Sequence, residues 1–273
     1  MPMTEVFAEI SEKRFDGMSS MQREFVSTGI QKLDDLLGGG LQKGFTTLIS
    51  AIPGTNIEIF TKQLATADDP VYITTDETKD EIINTMQSFS WDTDHILFED
   101  IAQKHLDHVR KGESKRISIH EQRSRTKIKE LIKQGSQGIP AQHTGEDDYL
   151  AVLSHHFRDN ASKKIIVNGL DFFLDRYHTN DVLHTVKAGK INAAQQQGVL
   201  ILILTRGIFG TQIERNIESL ADCILELDVV RKGTSFERLL SVKKIRNYAK
   251  KIGTARYEIT DQGLILENIE RIL

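Results

Sequence analysis

Short apolar runs alternate along the chain with longer segments in which apolar and polar residues follow helical spacing. The apolar runs have the length of strands, and the longest is Val199–Leu204. Strands separated by helical segments are typical of a mostly parallel, twisted sheet, so the pattern predicts an α/β fold. The predicted strands are Thr46–Ser50, Val71–Thr74, His95–Phe98, Lys163–Val167, Gly198–Thr205 and Cys223–Leu227, followed by two terminal antiparallel strands, Leu239–Val242 and Ala255–Ile259.

Two helix starts are indicated by capping-box spacing, in which a threonine is followed three residues later by glutamine or glutamate. One is Thr28–Gln31, before a helix that ends at the glycines Gly38–Gly40. The other is Thr78–Glu81. A further helix is predicted over Ile57–Ala65, directly after the first long strand.

The composition is that of a globular protein and excludes several functional classes. Of the 273 residues, 39% are hydrophobic and 27% are charged, and the net charge of −4 gives no overall sign of nucleic-acid binding. The single cysteine, Cys223, excludes an internal disulfide framework and fits a reducing compartment. No apolar run approaches the ~20 residues of a membrane span. We therefore expect a cytoplasmic protein without a membrane segment, and the scattered histidines predict no metal site.

Polarity divides the chain into an arm and one domain. Residues 1–24 are polar with little periodicity and are predicted to form an N-terminal arm, and residues 25–273 a single domain with a polar insertion of helical and loop segments at about 101–160. Within the insertion, Arg110–Lys133 contains nine basic residues against three glutamates. This segment fits a solvated amphipathic helix, which we favour, or a surface for nucleic acid or an acidic partner.

The loop after the strand Thr46–Ser50 carries the candidate chemistry. A phosphate-binding P-loop reads G-x-x-x-x-G-K-[ST], and its backbone N–H groups, lysine and hydroxyl hold a triphosphate and Mg²⁺. At the four defining positions this chain has Ala51 and Asn56 for the glycines, Ile57 for the lysine and Glu58 for the hydroxyl. The segment is either a P-loop without its ligand chemistry or an ordinary strand-to-helix turn.

The flanks of this loop contain several short motifs in a fixed order. They are STGIQKLDDLLGGGLQKGFTTLIS (Ser27–Ser50), VYITTDET (Val71–Thr78), SFSWD (Ser88–Asp92), SVKKIRN (Ser241–Asn247) and YEITDQGLIL (Tyr257–Leu266). Together they resemble RecA-superfamily ATPases of the archaeal KaiC and RadA type. The resemblance implies a RecA-like three-layer fold, with helices on both faces of the sheet. It also implies that the loop is a degenerate Walker A motif, formed by Gly54, Thr55, Asn56, Ile57 and Glu58.

The same resemblance assigns the other positions of a nucleotide site. The family's Walker B aspartate, which positions Mg²⁺ through water, corresponds to Asn168, an amide that cannot supply the charge. Asp171 lies three residues further on, past the predicted strand end, and is not expected to replace it. The family's catalytic carboxylates correspond to Asp76 and Glu77, which we interpret as remnants that complement the N-terminus of the next helix.

A basic pair near the C-terminus, Lys244 and Arg246, matches the residues with which family members reach the γ-phosphate in a neighbouring subunit. The pair fits a solvated rim, or a contact in which Arg246 meets Glu58 of a neighbouring copy. Two further segments, Tyr177–Asn180 and Arg206–Gly210, correspond to DNA-contacting loops of the family.

These substitutions predict a catalytically inactive RecA/KaiC-like protein that needs no cofactor. We expect a regulatory or scaffolding subunit that forms homo-oligomers or assembles with an active RecA-family relative. Loss of the lysine, the hydroxyl and the Walker B aspartate in one chain affects a single function, metal-dependent triphosphate hydrolysis. Two alternatives stay open: an ATPase that binds ATP and Mg²⁺ at an atypical site, and a DNA-binding accessory protein of recombination or repair.

Overall fold

The computed structural model of the protein describes residues 24–111, 148–247 and 253–267. In chain order its elements are β1 (Phe25–Val26), α1 (Gln31–Leu37), β2 (Leu41–Gln42), β3 (Thr46–Ala51), α2 (Ile57–Leu64), β4 (Val71–Thr74), α3 (Lys79–Ser88), β5 (Leu97–Asp100), α4 (residues 101–111), α5 (Tyr149–Asp159), β6 (Lys164–Asn168), α6 (Leu170–Arg176), α7 (Thr179–Gln196), β7 (Val199–Thr205), α8 (Thr211–Leu220), β8 (Cys223–Lys232), β9 (Ser235–Ile245), β10 (Thr254–Thr260) and β11 (Gly263–Leu266).

Nine strands form one sheet in the order β11-β10-β9-β8-β3-β7-β6-β4-β5. Neighbours from β8 to β5 are parallel, and those from β8 to β11 are antiparallel. Ala51 pairs with Thr205 and Thr74 pairs with Asn168, so the ends of β3, β7, β4 and β6 lie side by side. We call this side of the sheet the carboxyl edge. The predicted α/β fold with C-terminal antiparallel strands is confirmed.

Helices cover both faces of the sheet because successive strand residues point to opposite sides. Leu48 and Ile49, neighbours in β3, belong to two different hydrophobic clusters. One cluster includes Leu33 of α1, Phe60 of α2 and Ile82 of α3; the other includes Leu153 of α5, Val186 of α7 and Ile217 of α8. Burying each such side chain contributes about 1.5–3 kcal/mol to folding. The three-layer arrangement is thereby confirmed.

One of the two predicted capping boxes is present and the other is not. The Thr78 side chain accepts from the backbone N–H of Glu81, whose carboxylate in turn accepts from the backbone N–H of Thr78. The prediction at Thr28 was wrong, since the residue before α1 is Ile30 and no side chain caps this helix. The backbone N–H of Thr28 instead donates to the buried carboxylate of Asp34 at 2.8 Å. This longer-range bond replaces the local one that the spacing suggested.

Three strands differ from their predicted limits by two residues or more. β5 begins at Leu97, two residues later than predicted, and β8 and β9 are longer because they continue beyond the sheet as a hairpin. Most of the basic segment Arg110–Lys133 and nearly all of the predicted arm lie outside the described residues. Among the helices within the described ranges, none is long and apolar enough to cross a membrane.

The helix after the altered loop is tied to the far edge of the sheet by Gln63. Its amide oxygen accepts from the backbone N–H of Leu264 at 2.7 Å, and its amide nitrogen donates to the carbonyl of the same residue at 3.3 Å. The side chain therefore satisfies both backbone groups of an edge residue in β11. This contact fixes α2, and with it the end of the altered loop, relative to the sheet.

Candidate functional site

The altered loop connects a fully buried strand to the start of a helix, as the sequence predicted. β3 ends at Ala51 and α2 begins at Ile57, after Asn56 in the left-handed conformation with φ +57°. Asparagine tolerates this conformation better than most residues, so it can occupy a position at which a P-loop has glycine. Gly54 also has positive φ, at +91°. The turn thus forms without glycine at the second defining position.

Two side chains from the C-terminal strands hold the backbone of this loop. The buried hydroxyl of Tyr257 donates to the carbonyl of Thr55 at 2.6 Å, and Nε of Arg238 donates to the carbonyl of Gly54 at 3.2 Å. Burial raises the pKa of Tyr257 well above its usual range, so the phenol keeps its proton for this bond. Sequence reasoning missed both contacts, since no local pattern links residues so far apart.

The two altered side chains at the start of α2 point to different surroundings. Ile57 is half-buried and packs against the hydrophobic cluster that includes Phe60. Glu58 is exposed, and among the described residues its carboxylate accepts one long bond, at 3.3 Å, from the Asn56 side chain. No ion pair to Glu58 occurs within the described ranges. The helix N-terminus therefore presents a carboxylate to solvent.

Glu77 forms an ion pair with a buried lysine. Lys62, one turn after Glu58 in α2, is fully buried, and its Nζ lies 2.6 Å from a carboxylate oxygen of Glu77. The next helix begins only at Lys79, and its acidic first-turn residues are Asp80 and Glu81. Glu77 lies directly before Thr78, the N-cap of that helix, so the interpretation of Glu77 as a remnant near a helix terminus stays a prediction. The interpretation of Asp76 in the same terms also stays a prediction.

Asn168 ends β6 and is buried beside the turn that follows β4. Its carbonyl accepts from the hydroxyl of Thr75 at 2.9 Å, which joins the ends of two adjacent strands. The next residue, Gly169, has φ +97° and leaves no room for a side chain against Thr75. Asn168 thus occupies a tightly packed position at the carboxyl edge.

Asp171 lies in the first turn of α6 and is engaged with the end of β7. Its carboxylate accepts from the backbone N–H of Thr205 at 3.2 Å and from the Thr205 hydroxyl at 3.1 Å. Burial raises the pKa of Asp171 to about 6, and the nearby charge of Asp76 acts in the same direction. Burial also raises the pKa of Asp76 itself. Two carboxyl groups at this edge are therefore poorly solvated.

The segment Arg206–Gly210, predicted to contact DNA, forms contacts with other residues of the same chain. Arg206 forms ion pairs with Asp228 and, at 3.2 Å, with Glu226, and its backbone N–H donates to the carbonyl of Ala51. Phe209 packs against the core. In the other predicted DNA-contacting segment, the Tyr177 hydroxyl accepts from the backbone N–H of Leu150. These contacts leave Ile208, 60% exposed, as the accessible apolar residue of the Arg206 loop.

The predicted interface pair lies at the opposite end of the sheet from the altered loop. Lys244 donates to the carbonyl of Ala221 at 2.6 Å, and the Arg246 guanidinium contacts Asp222 at 3.2 Å. Asp222 also accepts from the backbone N–H of Thr46, at the start of β3. Arg246 remains 60% exposed. Because the pair and the loop occupy opposite ends, only two different copies of the chain can bring them together.

Comparison with known proteins identifies the family. Residues 26–270 match the sequence profile of the family described as "ATPase: KaiC". This chain belongs to the KaiC ATPase family. The KaiC/RadA-type resemblance inferred from the motifs is thus confirmed at the level of the family and its RecA-like fold.

Individual relatives of this KaiC-family chain are distant. A UPF0273 protein of Pyrococcus furiosus is 22% identical over 250 residues, which cover 88% of this chain and 93% of that protein. The circadian clock oscillator protein KaiC of Prochlorococcus marinus is 32% identical over 90 residues, 31% of this chain and 18% of that protein. The crystal structure of a KaiC-like protein from Pyrococcus horikoshii matches with a TM-score of 0.63 and 16% identity, over 90% of this chain and 100% of that one. This last match concerns the fold alone.

The side chains of the KaiC-family chain do not fit Mg²⁺ and a triphosphate. The residue that the resemblance assigns to the lysine position is an isoleucine packed on the core, the one assigned to the hydroxyl position is an exposed glutamate, and the one assigned to Walker B is a buried asparagine. Of the side chains described above that lie near the altered loop and the carboxyl edge, six are carboxylates and three are cations: Glu58, Asp76, Glu77, Asp171, Glu226 and Asp228 against Lys62, Arg206 and Arg238. In the part of the chain that the structure describes, no group of three or more histidine, cysteine, aspartate or glutamate side chains is arranged to hold a metal ion.

Proposed function

We propose that this KaiC-family chain is a catalytically inactive RecA-like subunit that acts through protein contacts and does not hydrolyse ATP. The observation that carries the proposal is the pair of side chains at the start of α2. Ile57 contributes to the core and Glu58 places a negative charge where a phosphate would lie. A unit charge pair near 4 Å is worth about 4 kcal/mol at an intermediate dielectric, and here its sign is repulsive.

Calorimetric titration with Mg·ATP tests the inactive assignment. We expect no saturable heat up to about 1 mM nucleotide, equivalent to less than about 4 kcal/mol of binding free energy, and no phosphate release. A variant with Ile57→Lys and Glu58→Thr is the matched comparison, since it restores the attractive charge, and it should bind more tightly than the natural chain. Micromolar affinity or turnover by the natural chain would instead support an ATPase with an atypical site.

We further propose that copies of the chain associate through Glu58 of one copy and Arg246 of the next. Glu58 is exposed without an ion pair in the described ranges, and Arg246 contacts Asp222 while 60% of its side chain is exposed. The two charges are opposite and lie at opposite ends of the sheet, which suits a head-to-tail contact. A contact of this kind replaces a nucleotide-bridged interface with a direct ion pair.

Charge exchange between the two residues tests this contact. We expect Glu58→Lys and Arg246→Glu each to weaken self-association by about tenfold, measured as the dissociation constant in sedimentation velocity. The double variant should recover most of the affinity, because it restores the attraction with reversed signs. Asp35→Lys, a charge change on the exposed face of α1, is the control. Single variants with an unchanged oligomer mass would disprove the contact.

A further inference from the structure

An open groove lies between helices α7 and α8, on the face of the sheet opposite to α2. Its volume is about 270 Å³, close to the lower end of small-molecule pockets at about 300 Å³. Leu183 of α7 and Leu220 of α8 line it and pack against the hydrophobic cluster that includes Val186. Phe60 of α2 belongs to the other cluster, so the groove is separate from the altered loop.

Three exposed polar side chains of α7 line one side of the groove. Asn180, His184 and Lys187 are spaced so that they share one face of the helix. Within the described ranges, none of the three forms a hydrogen bond or an ion pair with another side chain. Asp181 is adjacent to Asn180 in sequence but does not line the groove. Lys187 therefore presents an ammonium without a counter-ion to the groove.

The acidic groups near the groove are already paired with other cations. No aspartate or glutamate of the described chain lines the groove. Glu218 forms an ion pair with Lys243 at 2.9 Å, and the buried carboxylate of Asp222 forms one with Lys190 at 2.7 Å. Lys190 also donates to the carbonyl of Leu220 at 2.6 Å, at the negative end of the α8 dipole. The groove thus carries local positive charge in a chain whose net charge is −4.

Helix α8 contributes a further hydrogen-bond donor to the groove. The side-chain oxygen of Asn216 accepts from the Gln212 amide at 3.2 Å, so its amide nitrogen is the group left to donate. The hydroxyl of Ser219 donates to the backbone carbonyl of Asn216 at 2.7 Å. The groove therefore combines two leucines with N–H donors from both helices.

We infer that the α7–α8 groove is a binding site for a small organic anion that carries a phosphate or carboxylate group. The anionic group binds the Lys187 ammonium, and the apolar part of the ligand covers Leu183 and Leu220. Hydrogen bonds between ionised partners are roughly twice as strong as neutral ones, and ligand pockets typically combine apolar surface with a few polar groups. This site goes beyond the proposed function, because it lies on the other face of the sheet and uses none of the residues of the altered loop.

Titration with phenyl phosphate, followed by methyl NMR of the full chain, tests the site. We expect the methyl signals of Leu183 and Leu220 to shift in a saturable manner with a Kd of about 1 mM, while those of Ile57 at the altered loop stay unchanged. Inorganic phosphate and benzyl alcohol should each bind at least about tenfold more weakly, because each lacks one of the two contacts. Benzoate is titrated in the same way, and the tighter of the two aromatic anions identifies the anionic group that the site takes.

Lys187→Met removes the cation but keeps an apolar stem, and it should weaken phenyl phosphate binding at least about fivefold. Its urea denaturation should match that of the natural chain, since Lys187 is exposed. Lys32→Met, at an exposed lysine of α1, is the matched control and should bind like the natural chain. Absence of saturable shifts with both aromatic anions up to about 10 mM, or equal affinity in the two variants, would overturn the inference. Binding of Mg·ATP by the natural chain would contradict the proposed function and leave this result unchanged.

Discussion

Gly169→Ala is expected to lower the free energy of unfolding by about 3 kcal/mol. Gly169 has φ +97°, and a Cβ atom there would lie 2.1 Å from the Thr75 hydroxyl and 2.8 Å from a carboxylate oxygen of Asp76. The left-handed backbone costs a side-chain-bearing residue roughly 1–2 kcal/mol, and overpacking adds about 1–3 kcal/mol. The added methyl group would also displace Thr75 from its bond to the Asn168 carbonyl.

Two other glycines at the same edge separate the backbone cost from the steric one. Gly207 has φ +89° but would place its Cβ in open space, so Gly207→Ala should cost only about 1 kcal/mol. Gly210 has φ −61° and open space as well, but it is the N-cap of α8, where glycine is preferred over alanine, so Gly210→Ala should cost up to about 1 kcal/mol. Urea denaturation of the three variants measures this series. If Gly169→Ala lowered the free energy of unfolding no more than Gly207→Ala does, Thr75 would be able to move away from the added Cβ atom at little cost.

Asp171→Asn is expected to make the free energy of unfolding less dependent on pH. Relative to the natural chain, the variant should be more stable at neutral pH than at acid pH. The pKa of Asp171 is about 6 in the folded protein, against about 3.9 in an unfolded chain. Between these values the folded state binds more protons than the unfolded state. The free energy of unfolding of the natural chain therefore falls as pH rises from about 4 to 6, and the loss persists above that range.

The side-chain amide of the Asp171→Asn variant has no proton to gain or lose in this pH range. It can keep both bonds to Thr205, because its oxygen can accept from the backbone N–H and its nitrogen can donate to the hydroxyl. After discounting for partial exposure, we expect the stability of Asp171→Asn relative to the natural chain to increase by about 1–2 kcal/mol between pH 4 and 7. Asp175→Asn, an exposed change in the same helix, is the control. If the difference in stability between Asp171→Asn and the natural chain stayed constant with pH, the pKa of Asp171 would be the same in the folded and unfolded states.

The parts of the fold that were predictable from sequence are those with a local repeating signal. Buried strands such as Val71–Thr74 are continuous apolar runs, and the capping box at Thr78 is complete within four residues. Local spacing failed at Thr28, where the decisive partner, Asp34, lies six residues away. It also failed at β5, because the strand's limits are set by pairing with β4 and not by its own apolar residues.

The positions of the candidate site were predictable, but their contacts were not. Motif order located Asn56, Ile57, Glu58 and Asn168 around one edge of the sheet. Nothing in a linear pattern distinguishes Lys62 from the other lysines of the chain, so its burial and its bond to Glu77 required the structure. Ion pairs between separate elements depend on side-chain direction and desolvation, which have no periodicity in sequence.

The order in which the loop becomes fixed during synthesis follows from the bonds to its backbone. Tyr257 is 202 residues from Thr55, and Arg238 is 184 residues from Gly54. A growing chain that has been synthesised only to the end of α2 contains neither Tyr257 nor Arg238. Bringing residues so far apart in sequence into contact has an entropic cost, which the pairing of β9 and β10 with the sheet must offset. The turn at the P-loop position is therefore among the last parts of the site to be held in place.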